Sequence, residues 1–110
     1  GRSGNWQIFD WPAVTGAALA FRHAAQALPA GEVVLAIEGL DQAIRLQVSD
    51  HGAVSEYTEA EADLRLSPMI ATRLLFGPLA PADVMLLEGK ATILQAWCPL
   101  PLSLSAQDCV

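Results

Sequence analysis

Polar and apolar positions change their period several times along the chain, and each change marks an element. Trp6-Gln7-Ile8-Phe9 alternates with aromatic and β-branched residues, which predicts a short first strand. Asp10 before Trp11-Pro12 is an acidic cap followed by an early proline. Val14, Ala17, Ala18, Phe21, Ala25 and Leu28 then recur at helical spacing, predicting a helix to about Leu28 that breaks at Pro29-Ala30-Gly31. Seven alanines between positions 13 and 27, with Gly16, give that helix a smooth side on which a sheet can sit closely, and Arg22, His23 and Gln26 fall on its solvated face. Val33 to Ile37 reads as a buried strand, and Ile44, Leu46 and Val48 alternate with polar residues as a half-buried one. Asp50-His51-Gly52 turns the chain into an antiparallel return over Val54–Tyr57, and Ala62–Leu66 continues the meander as a fourth strand of the run.

The stretch from Leu64 to Pro78 has its boundaries written in local chemistry. Ser67 can cap a helix whose first position is Pro68, where the missing N–H costs nothing, and Gly77-Pro78 stops it two to three turns later. A second helix is predicted from Pro81, with Asp83 in its first turn and Gly89 closing it, carrying the apolar row Val84-Met85-Leu86-Leu87. Lys90–Trp97 reads as a last strand, and Cys98-Pro99-Leu100-Pro101-Leu102-Ser103-Leu104 as an extended apolar tail that two prolines keep out of a sheet centre. The pattern predicts one α+β domain over residues 6–110, with a mostly antiparallel curved sheet and helices on one face. Residues 1–5 read as a linker or an excision remnant.

Composition changes this picture in two ways. A hydrophobic fraction of 53% against 16% charged leaves few charges to cover a surface, so either a cavity or a face buried against something else is expected. A net charge of −6, with six basic residues placed singly, offers no cationic stripe for phosphates, which argues against a nucleic-acid partner. No run reaches the roughly 18 apolar residues of a membrane span, and the polar start is unlike a signal peptide. The expectation is a cytoplasmic protein. Cys98 and Cys109 show no metal-type spacing; they read as two ordinary thiols or as a disulfide closing a small C-terminal loop.

Reactive constellations are missing from the sequence. The glycines stand singly rather than in a phosphate-cradling loop, there is no G-x-S-x-G elbow, and the two histidines lie on different elements. The chain does not read as a self-sufficient enzyme, and no metal site is expected.

The segment Ala62-Asp63-Leu64-Arg65-Leu66-Ser67-Pro68 through Leu74-Leu75-Phe76-Gly77-Pro78, in this order of elements, resembles the sterol carrier protein type-2-like fold. The closing Trp97-Cys98-Pro99-Leu100-Pro101-Leu102, with the chain ending at Val110, resembles the C-terminal end of bacterial GNAT-superfamily acetyltransferases of the enhanced-intracellular-survival type, in which a sterol-carrier-like domain follows the catalytic part. The resemblance implies a non-catalytic accessory domain that shapes a substrate pocket and subunit contacts. Acetyl-CoA would then belong to the upstream domain, with no cofactor in this one. It also implies that the terminal carboxylate, here that of Val110, serves as a catalytic base, although the family's last residue differs. The alternative is an independent lipid or sterol carrier whose cavity is lined by Phe21, Leu35, Leu46, Leu74, Phe76, Met85 and Leu86. A structural dimerisation domain, a homo-oligomer by function, is the third reading.

Overall fold

The computed structural model describes residues 9–101. Helix α1, Trp11–Ala25, starts where its cap predicts: Asp10 Oδ1 accepts the Ala13 N–H at 3.1 Å, and Pro12 sits in the first turn. It ends three residues short of the sequence expectation. Gln26 turns extended at φ −156° while still donating its N–H to Arg22 O, and the His23 ring takes over the next free amide, Nδ1 accepting from Leu28 N at 3.0 Å. The part of the predicted first strand at Trp6–Ile8 lies outside the described residues.

Strands β1 (Gly31–Ile37), β2 (Ala43–Ser49) and β3 (Gly52–Thr58) form the antiparallel meander, with β2 alternating buried and half-buried residues as its sequence does. The fourth strand departs from the expectation. β4 (Leu64–Leu66) does not extend the meander beyond β3 but crosses to the opposite edge and pairs in parallel with β1, giving the order β3-β2-β1-β4. Asp63 sets that register: its N–H donates to Val34 O at 2.7 Å and its carboxylate Oδ2 accepts Val34 N–H at 2.8 Å. Two of the three pairings remain antiparallel, so the α+β class with a mostly antiparallel sheet holds.

The pleat separates two faces. On one, Gly31, Val33 and Leu35 align with Val48, Leu46 and Ile44, and those with Ala53, Ser55 and Tyr57. Helix α1 covers the β3 side of this face, where Gly16 stands against Ser55 and Thr15 Oγ1 meets Ser55 Oγ at 2.7 Å. The opposite face mixes Glu32, Gln47 and Glu56 with Val34 and Val54, and Arg45 lies across it within 3.7 Å of Glu32 and 3.1 Å of Glu56.

Helix α2, Pro68–Phe76, is capped by Ser67 Oγ accepting from Ile70 N at 3.2 Å and closed by Gly77 at φ +84°, as its sequence predicts. The elements after it do not follow the sequence reading. Helix α3 spans only Pro81–Val84 before Met85 turns extended, and Gly89, at φ +62°, opens a 3₁₀ helix over Gly89–Ile93 instead of closing α3. Lys90–Trp97 is therefore not a strand: the 3₁₀ turn runs into helix α4, Leu94–Trp97. The reason is visible in what it buries. Ala91, Leu94 and Trp97, all fully buried, recur every third residue, a spacing that places them on one side of a tight helix and on alternating sides of a strand. These turns cover the β1 end of the apolar face, with Ile93 and Trp97 against Gly31.

Candidate functional site

The seven residues expected to line an apolar cavity separate into three places. Leu35, Leu46 and Leu74 are at most 1% exposed and belong to the packed core with Trp11, Leu19 and Trp97. Met85 is half-buried at the rim of that core, while Leu86 is 78% exposed. Phe21 and Phe76 are brought together, not inside the molecule but in an open surface groove of about 550 Å³ that they share with Arg22, Ala25, Pro99, Leu100 and Pro101. Val110 lies outside the described residues.

The groove follows from three local decisions. Phe21 and Ala25 point outward from the last turns of α1, and Phe21 is left 65% exposed. Phe76 is the last residue of α2, held at its mouth because Gly77 takes the positive φ that ends the helix. The third wall is the Cys98–Pro101 segment, tied down at Leu100, whose N–H donates to Leu75 O at 2.6 Å. Gly77 also lets this wall approach, since a Cβ there would stand 3.1 Å from Pro99 Cβ.

Arg22 and His23, which the sequence places on a solvated face with Gln26, are both half-buried and engaged. Arg22 Nε donates to Trp97 O at 2.6 Å, so the guanidinium lies between α1 and the closing segment. Only Gln26 fits the expectation, being exposed. The missed signal was the residue next door: Arg22 follows an aromatic that the helical period puts at the edge of the apolar stripe, where a long side chain can lay its stem on apolar surface.

The groove is lined by apolar side chains and by Arg22. Cys98 is a buried free thiol beside the groove, and burial pushes its pKa from 9.0 up to about 12, an effect that Arg22 opposes only in part. It stays protonated at neutral pH and is no nucleophile. Cys109 lies outside the described residues. His51 is exposed in the β2–β3 turn, far in sequence from His23, whose Nδ1 is occupied by Leu28 N–H. Among the described residues no group of three His, Cys, Asp or Glu side chains is placed to hold a metal ion, and no helix is long and apolar enough to cross a membrane. Another depression, about 290 Å³, lies between the β1–β2 turn and the β3–β4 connection, by Asp41, Gln42, Glu59 and Glu61, where Gln42 Nε2 donates to Glu59 Oε2 at 2.8 Å. Its carboxylates are those of a solvated turn. Comparison of the chain with protein-family models, with curated proteins and with solved structures finds no match.

Proposed function

We propose that this chain is a non-catalytic accessory domain of a GNAT-type N-acetyltransferase, one that contributes contact surface to the catalytic part. The observation that carries the reading is the apolar groove on the outside of a well-filled core, with Phe21 left 65% exposed above Phe76 and the two prolines. Single exposed hydrophobics are ordinary, but a concave group of them rimmed by polar residues marks a contact site. The sequence resemblance over Ala62–Pro78 and Trp97–Leu102 names the kind of protein that such a domain accompanies. Among the described residues the positive-φ glycines at 39, 52, 77 and 89 stand one to a turn, which supports looking for the acetyl-CoA site elsewhere. The cofactor is assigned to the upstream domain.

The test is the reading frame directly upstream. A GNAT-type frame is expected there, and deleting residues 6–110 from the joined protein is expected to lower kcat/KM or alter its subunit assembly. An unrelated frame, or a truncated transferase with unchanged kinetics and mass, refutes the proposal. The carrier reading, in which the groove takes an apolar small molecule instead, is tested by displacement of a fluorescent fatty acid.

A further inference from the structure

We propose that the groove between the end of α1 and the Cys98–Pro101 segment seats an extended peptide segment of the acetyltransferase part, one that sets a carboxylate beside an apolar side chain. This rests on the accessory-domain reading and says where and how the contact is made.

Charge selects the carboxylate. In an acidic chain, Arg45 is matched by Glu32 and Glu56, whereas no carboxylate among the described residues lies within ion-pair distance of Arg22. Its Nε is spent on Trp97 O, which holds the guanidinium in the groove wall and leaves its two terminal nitrogens as further donors. A fixed guanidinium fork recognises carboxylate oxygens with direction as well as charge.

Shape selects a chain over a small molecule. Small-molecule sites bury some 70–90% of their ligand, and an open groove of about 550 Å³ walled by α1 on one side and a proline segment on the other covers only one side of an occupant. The proline wall also decides how the peptide is held. Pro99 and Pro101 have no N–H, and the Leu100 N–H is already given to Leu75 O, so this wall cannot donate to an added strand. Recognition falls to side chains: an apolar residue between Phe21 and Phe76, and a carboxylate on Arg22.

The test titrates the 110-residue chain into a short fluorescein-labelled peptide with a central Leu-Phe-Asp, and into the same peptide with Asn in place of Asp, reading anisotropy. Two variants at exposed positions, Ala25→Glu and Phe21→Ser, leave the Arg22–Trp97 bond and the core untouched, and matching thermal melts confirm that they fold. The expected result is binding of the Asp peptide, roughly three- to tenfold tighter than the Asn peptide, with both variants weakening it by a similar factor. Equal affinity for the two peptides, no effect of either variant, or no binding at millimolar concentration overturns the proposal. So does displacement by dodecanoate without peptide binding, which makes the groove a lipid site. Self-association that Phe21→Ser abolishes, in place of peptide binding, also overturns it, since the occupant is then a second copy. The two levels separate cleanly: a transferase domain that binds this chain and both variants equally well removes the groove assignment and leaves the accessory-domain reading standing.

Discussion

Trp97 is the side chain through which the end of the chain holds the beginning, and replacing it with phenylalanine tests the packing account most directly. The indole is fully buried, and its Nε1–H donates to Pro29 O at 2.9 Å. Trp97→Phe keeps the aromatic character and the backbone carbonyl that accepts from Arg22. It removes the hydrogen bond, with a net loss of about 1 kcal/mol, and part of the ring's buried apolar surface, about 1–2 kcal/mol more with the void it leaves. The sum is a destabilisation of about 2–3 kcal/mol. Urea unfolding followed by far-UV circular dichroism reads this as a midpoint lowered by roughly 1–2 M for an m-value near 1.5 kcal/mol/M, and a thermal scan as a fall of roughly 10–20 °C. Gln95→Ala, an exposed position on the same short helix, is the control and is expected within about 0.5 kcal/mol of the parent. A Trp97→Phe midpoint indistinguishable from that of Gln95→Ala would refute the claim that the closing helices complete the core.

Two further outcomes follow from single contacts. Gly16→Ala is expected to stabilise by about 0.5–1 kcal/mol, because alanine is the better helix residue and the added Cβ meets Ser55 Cβ at 3.4 Å, an ordinary contact; a lowered Tm shows that α1 and β3 leave no room for the methyl. Cys98 should resist iodoacetamide at pH 8 in the native protein and react once the chain is unfolded in urea. Its folded pKa is raised, so the neutral thiol costs nothing below pH 9.0. Native stability then falls as pH climbs from 9.0 toward about 12, where the unfolded thiol ionises first. Cys98→Ala removes that part of the alkaline loss, and an unchanged alkaline profile in the variant shows that the thiol is not desolvated.

Local chemistry was legible in the sequence wherever one residue decides an event. The Asp10 and Ser67 caps, the Gly77 stop, the β2 alternation and the hairpin turn at Asp50–Gly52 all stand where their residues put them. What depended on distant contacts was not legible. Nothing local tells β4 to leave the meander; Asp63 does so by binding Val34, twenty-nine residues earlier. Residues 90–97 carry β-branched Thr92 and Ile93, which suggest a strand, and the burial spacing of three that makes them helical emerges only against Gly31. The site was half legible. Phe21 and Phe76 belong to one apolar surface, but Leu35, Leu46 and Leu74, equally apolar, are core, because apolar character alone does not say whether a residue lines a space or fills one.

The bond from Trp97 Nε1 to Pro29 O spans 68 residues, and that from Arg22 Nε to Trp97 O spans 75. A chain emerging from the ribosome makes α1 and the whole sheet before the residues that cover the β1 end of their apolar face exist. Until Leu94, Trp97 and Leu100 arrive, that face is open to water and to other nascent chains. The last turns of the fold therefore act as a completion signal. A chain cut short before residue 94 is expected to be a substrate for chaperones and proteases rather than a smaller folded protein, and the domain to become native only once residues 94–100 have emerged.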